Sequence, residues 1–277
     1  MIKERIIQEL GVQATENFEP KEAIRARINY LKDYLKTNGL RCITLGISGG
    51  VDSTAAGKLS QMAVNELREE GYDAQFIAMR LPAHIQKDED DAQKALKFIN
   101  PDLVLTTNIG PAADSGVDSV FAGLYDAGVM KSDLQVTQDF IKGNIKARMR
   151  MIFQYAVASG FGGVVLGTDH NAEAVMGFYT KYGDGGCDLI VLNGLNKRQV
   201  RLCAKEMGAD VETYSKVATA DLEEDKPQIP DEVVLGVTYD QIDDFLEGKE
   251  IPEEAEAKII AQFTKTIHKR EMPVSFE

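Results

Sequence analysis

Apolar positions change period repeatedly along the chain. Between residues 20 and 36, Ile24, Ile28, Leu31 and Leu35 recur every three or four residues, the spacing of one helical face. Pro20 suits a first helical turn and Gly39 a stop. Residues 42–47 form a short continuous apolar run, the pattern of a buried strand. Helical spacing returns over residues 54–70 through Ala55, Leu59, Met62, Ala63 and Leu67, closed by Gly71. Runs at 74–79 and 102–107 predict a second and a third strand. Residues 88–98, with an acidic first turn, predict a helix between them. Ile145, Met149, Ile152, Phe153 and Ala156 mark a long helix ending at Gly160, and residues 163–167 predict a fourth strand. Strands alternating with helices imply an α/β fold, a parallel sheet with helices on both faces. Ligands then sit at the carboxyl ends of the strands, in the loops after Ile47, Met79, Thr107 and Leu166.

Composition narrows the function classes. Of 277 residues, 44% are hydrophobic and 27% charged, which supports a sizeable core and excludes disorder of the whole chain. A net charge of −13 argues against binding nucleic acid by phosphate neutralisation. Nearly all of that excess lies between residues 221 and 256, where 14 acids face 2 lysines. The expected form of this segment is solvated loops and surface helices, with Pro227 and Pro230 in a loop. Cys42, Cys187 and Cys203 are too few and too scattered for a disulfide framework or a CxxC zinc site, which suits a reducing cytoplasm. The first ten residues carry charge throughout and show no signal-peptide core. The most apolar window, residues 160–167, is far short of the ~20 residues of a membrane helix.

The loop after the first strand is Ser48-Gly49-Gly50-Val51-Asp52-Ser53, leading straight into a helix. Two adjacent glycines let backbone N–H groups approach an anion, and the helix start adds free amides and a positive dipole end. Ser48 and Ser53 add hydroxyls, completing a phosphate cradle. Asp52 beside a polyphosphate is repulsive unless a divalent cation lies between them, so it implies Mg²⁺. Glu173, after the fourth strand, is a second carboxylate able to share that metal. The loop is not a Walker A loop, because Gly57-Lys58 is followed by Leu59 and Asp52 occupies the first glycine position. Gly160-Phe161-Gly162 lacks the third glycine of a dinucleotide fingerprint and precedes a strand instead of following one.

Ser48–Ser53 resembles the signature of the ATP pyrophosphatases, which cleave ATP between its α- and β-phosphates to activate a substrate as an adenylate. Further motifs point within that superfamily to the NAD synthetase family. They are residues 143–151 (GNIKARMRM), 167–173 (GTDHNAE), 178–186 (FYTKYGDGG), 195–199 (LNKRQ), 219–222 (TADL) and 268–270 (HKR). The resemblance spans about the whole chain in the family's order. It implies the adenine nucleotide α-hydrolase-like fold and one domain over residues 1–277. With no additional amidohydrolase domain, the chain resembles the short, ammonia-dependent form.

The resemblance implies ATP-dependent conversion of deamido-NAD to NAD through an adenylate, with release of AMP and pyrophosphate. Gly46, Ile47, Ser48, Gly49, Gly50, Val51, Asp52, Ser53, Thr168, Lys197 and Thr219 are the expected ATP residues. Lys197 opens a helix, where a basic residue opposes the dipole, which favours a phosphate-binding role. Arg80, at the end of the second strand, and Gln86, in the segment 84–90 that follows it, are expected to approach ATP from one side. Thr219 would approach from 218–230, both segments acting as lids. Phe140, Asn144 and Arg148 share one helical stripe suited to a base and its ribose or phosphate. With Lys181, Asp188, His268 and Lys269 they are the expected dinucleotide residues. Asp52 and Glu173 are the implied Mg²⁺ ligands. Asp52, Lys197 and Asp184 are the expected catalytic groups, Asp184 as acceptor of a proton from ammonium. His84 and His170 are expected to be structural or solvated. The resemblance also implies a homodimer. The alternatives are another adenylating amidotransferase, such as the synthetase part of a GMP synthetase, and an ATP-sensing module.

Overall fold

The computed structural model describes residues 2–84, 89–220, 229–271, 273, 275 and 276. Its elements begin with α1 (Ile2–Leu10), α2 (Pro20–Asn38), β1 (Cys42–Gly46), α3 (Val51–Glu69), β2 (Gln75–Arg80), α4 (Glu89–Ile99) and β3 (Leu103–Thr106). The middle of the chain holds α5 (Gly110–Asp126), α6 (Gln138–Gly160), β4 (Gly163–Gly167), α7 (Asn171–Met176), β5 (Leu189–Ile190), α8 (Lys197–Glu206) and α9 (Val211–Ser215). Last come β6 (Thr219–Ala220), β7 (Ile229–Pro230), α10 (Asp231–Leu235), α11 (Tyr239–Leu246), α12 (Glu253–Lys265) and α13 (Ile267–Arg270).

The five parallel strands stand in the order β3-β2-β1-β4-β5. The chain steps outward from β1 through β2 to β3, then crosses to the other side of β1 as β4. The carboxyl ends of β1 and β4 therefore flank the point where strand order reverses, the usual ligand crevice of an open α/β sheet. Residue alternation divides the strands between two faces. Ile43 and Leu45 of β1 and Phe76 and Ala78 of β2 pack with α2, α3, α4 and α8. Cys42, Ile77 and Met79 face the other way, against Met149, Phe153 and Val157 of α6.

Helices α5 and α7 answer to no element predicted from the sequence. The four predicted strands and the predicted helices agree with the structure to within three residues. The exception is α6, which begins at Gln138, well before Ile145, where Thr137 accepts the Phe140 amide at 3.1 Å. A second core lies outside the sheet, where Ile6 of α1, Ala172, Val175 and Met176 of α7, and Ile242, Phe245, Ile259 and Phe263 of α11 and α12 come together. The expected solvated character of residues 221–256 is corrected there. Asp231 and Asp243 are 5% and 1% exposed, and the side chain of Glu247 is fully shielded. Their oxygens serve as internal acceptors. Asp243 caps the start of α8, and Glu247 receives Asn196 Nδ2 at 2.8 Å and pairs with Lys249 at 2.7 Å.

Candidate active site

The cradle forms between the end of β1 and the start of α3. Gly49 has φ +87°, and a Cβ there would lie 2.7 Å from the Ala92 amide nitrogen. Only glycine lets this loop pass so close to α4. Ser48 Oγ and Ser53 Oγ are 3.1 Å apart, and the Gly50 amide donates to Ser48 Oγ at 3.2 Å. The hydroxyl of Thr54 donates to Gly50 O at 2.7 Å, locking the first turn. No side chain caps α3 at Gly50, so its first amides point at the crevice uncommitted to a cap.

Asp52, on that first turn, meets Lys197 from the start of α8, with Nζ 2.6 Å from Oδ2. Glu173 of α7 places Oε1 4.0 Å from the same ammonium. His170 lies among them, its Nε2 3.5 Å from Asp52, 3.6 Å from Glu173 and 3.4 Å from Lys197 Nζ. Of the two expectations for His170, solvated or structural, burial excludes the solvated one. Its signal in the sequence was its place between strand β4 and Glu173. Burial and the neighbouring Lys197 hold its pKa near 3, so it is a neutral acceptor toward Lys197. Burial alone would raise Asp52, but the Lys197 ammonium outweighs it and holds the carboxyl below its usual range. Glu173 is pushed well above the carboxylate range by burial and by Asp52.

Lys197 can open a helix because the dipole cost is met by two devices. Asn196 and Gln199 form a capping box, and Asp243 of α11 accepts the Lys197 and Arg198 amides at 3.1 and 2.8 Å. The donor set also fits Mg²⁺. Oδ1 of Asp52 is buried without a hydrogen-bond partner, and Asp52, Glu173 and His170 present ligand atoms within 4.8 Å of one another. Two carboxylates beside a phosphate cradle are the oxygen donors this ion favours.

Acid density continues into the loop after α7. Asp184, a residue open to solvent, accepts the Thr180 amide at 2.9 Å, and the protein atoms crowded around its carboxyl raise it above the usual range. Asp169 is pushed up to about 8 by burial and by Asp184, and it shares a hydrogen bond with Glu173. Lys269 approaches from α13 and donates to Gly177 O and Tyr179 O at 2.7 and 2.6 Å.

The other expected residues are spread over several places. Arg148 donates to Lys181 O at 3.3 Å, and Lys181 donates to His268 O, so these three residues adjoin one another. Phe140 is exposed one helical turn from Asn144, whose amide donates back to Phe140 O. Asp188, exposed just before β5, accepts Val165 N at 2.8 Å and Tyr155 OH at 3.0 Å. Arg80 is buried at the end of β2, where it donates to Ile47 O at 2.9 Å and pairs with Glu89. Thr168 lies between β4 and Asp169, and Thr219 is exposed on β6. Gln86 and most of both expected lids, residues 85–88 and 221–228, lie outside the described residues. His84, outside the cluster, pairs with Asp114 at 2.7 Å.

The sequence matches the NAD synthase family over residues 23–273. It is 54% identical over 273 residues to an NH3-dependent NAD+ synthetase of Streptococcus uberis, covering 98% of this chain and 95% of the relative. Identity to the NH3-dependent NAD+ synthetase of Lactococcus lactis subsp. cremoris is 53% over 277 residues, with 99% and 97% covered. The crystal structure of NAD+ synthetase from Burkholderia pseudomallei matches with TM-score 0.80 at 48% identity, covering 98% and 96% of the two chains. An NMN synthetase from Francisella tularensis matches with TM-score 0.79 at 31% identity, covering 94% and 99%.

Proposed function

The chain belongs to the NAD synthase family, and from that premise we propose how its residues carry out the family's reaction. It is an ammonia-dependent ligase that amidates deamido-NAD using ATP. The deamido-NAD carboxylate attacks the α-phosphate of ATP, and ammonia then displaces AMP. The observation that carries this reading is the meeting of Asp52, Glu173 and Lys197 beside an uncapped helix start at the strand-order reversal.

The loop from Gly46 to Ser53 binds the ATP phosphates through backbone amides and the two serine hydroxyls. Lys197 faces the charge that develops on departing pyrophosphate, a role for a preorganised buried cation. Asp52 and Glu173 would hold Mg²⁺, which when bound neutralises phosphate charge. Thr168, Arg80, Gln86 and Thr219 complete the ATP site. Asp184, its affinity for a proton raised by the protein packed around its carboxyl, accepts the proton that ammonium must lose. Phe140, Asn144, Arg148, Lys181, Asp188, His268 and Lys269 orient deamido-NAD.

We read residues 1–277 as one catalytic unit that works as a homodimer. Val120, Tyr125, Met130, Val136 and Phe140 expose apolar surface on and between α5 and α6. This face is continuous with the helix that carries Asn144 and Arg148, so a second copy seated there would lie beside the dinucleotide. We place the enzyme in the cytoplasm, consistent with free cysteines. Among the described residues, no helix is long and apolar enough to cross a membrane.

The test is pyrophosphate release with ATP, Mg²⁺ and deamido-NAD, supplied with ammonia and then with purified glutamine. Turnover with ammonia alone is expected. The corresponding mononucleotide acid is the competing substrate, given the NMN synthetase likeness. A preference for it over deamido-NAD, or equal rates with glutamine, would overturn the assignment.

A further inference from the structure

The ammonium of Lys197 has three N–H groups to place. One goes to Asp52 Oδ2 at 2.6 Å, and a second faces His170 Nε2 at 3.4 Å. Among the described residues no further oxygen takes a hydrogen bond from it. Glu173 Oε1 stands off at 4.0 Å, and the ring of Tyr239, at the start of α11, lies against the ammonium with its centroid 4.9 Å from Nζ. Tyr239 is 3% exposed, and it meets the His170 ring edge-on at 6.2 Å.

A ring face attracts a cation without a lone pair that claims a particular N–H. An oxygen in the same place would compete with Asp52 for the ammonium. The plane of the ring is in turn fixed from behind. Tyr239 OH donates to Asp231 Oδ2 at 3.0 Å, and the Tyr239 amide donates to Glu232 at 2.8 Å. Asp231 donates its own amide to Ala218 O at 3.0 Å, next to Thr219 of β6.

We propose that Tyr239 is a positioning residue for Lys197. Its ring holds the ammonium against Asp52 while leaving one N–H free for a phosphate oxygen. The Tyr239–Asp231 bond sets the ring's plane and ties it to the strand that carries Thr219. This inference rests on reading Lys197 as the ATP-facing cation.

The test replaces Tyr239 with phenylalanine and then with phenylalanines bearing one, two and three ring fluorines. Fluorination leaves the shape nearly intact but withdraws charge from the ring face, so a structural role would not register it. The expected result is a stepwise fall in kcat, reaching about 10- to 30-fold between the phenylalanine and trifluoro forms. KM for deamido-NAD should stay within about twofold of the Tyr239→Phe value, because Tyr239 is not among the residues proposed to hold that substrate. A flat series overturns the proposal. Lys197→Gln, measured alongside, separates the two ways of failing. If it keeps its activity, the reading of Lys197 is itself wrong. If it loses activity while the series stays flat, only the role of Tyr239 falls.

Discussion

Gly49→Ala is the sharpest perturbation of the cradle, and its size can be worked out before the experiment. The new methyl would sit 2.7 Å from Ala92 N, 2.9 Å from Asp91 C and 3.0 Å from Ala92 Cα, where ordinary contact begins at 3.4 Å. All three atoms are backbone, so no side chain can swing aside. Either the loop or the first turn of α4 must move by about 0.7 Å. Alanine at φ +87° adds a left-handed penalty of about 1–2 kcal/mol, and the overlap adds about 1–3 kcal/mol. The sum predicts a Tm lower by roughly 5–15 °C. Displacement of a phosphate-binding loop by a fraction of an ångström predicts a loss of about 100-fold in kcat/KM for ATP. Gly71→Ala is the matched control. It has φ +82° with nothing within 4 Å, so it carries the strain without the collision. Thermal melting and pyrophosphate release on both variants separate the effects. If Gly49→Ala matches Gly71→Ala in KM for ATP, the close approach to α4 does not shape the phosphate site.

Asp52→Asn should fold, because it keeps the volume, yet nearly abolish pyrophosphate release, because it removes both the Lys197 partner and the proposed metal ligand. Most of the activity surviving at limiting Mg²⁺ would refute the metal assignment. Asp243 is raised by burial from 3.8 to about 7, so the stability it contributes is complete below about pH 4 and is lost as pH rises through about 7. Asp243→Asn should therefore flatten the decline of Tm between pH 4 and pH 7, followed by calorimetry. An unchanged slope would show that this carboxyl is not the group responsible.

The sheet was legible in the sequence because strands buried on both faces are continuous apolar runs with glycine at their ends. Residues 42–47 and 163–167 have that form. Strand β5 has two residues, too few for any period to register. Helix α11 carries Ile242, Phe245 and Leu246 at helical spacing, but three aspartates in eight residues hid its apolar face behind a surface-like composition. The carboxylates of the site could be read because Asp52 conflicts with the anion its own loop attracts. Lys197 could be read because it opposes a helix dipole. His170, Asp231, Tyr239 and Asp243 conflict with nothing nearby in sequence. Their meaning comes from contacts across tens of residues, such as Asp243 with the Lys197 amide, 46 positions away.

The bond between Asp52 and Lys197 joins positions 145 residues apart, and the helix that caps Lys197 comes later still. On the ribosome, the phosphate loop can therefore form long before its cation is in place. Domains fold as the chain emerges, and contacts of high sequence separation close last. The phosphate loop comes from residues 46–53, but the amide start of the helix that carries its lysine is capped by Asp243, from residues 239–246. Completion of the C-terminal helices thus doubles as a checkpoint, since a chain cut short after α8 keeps a nucleotide loop yet lacks the scaffold that aims its lysine.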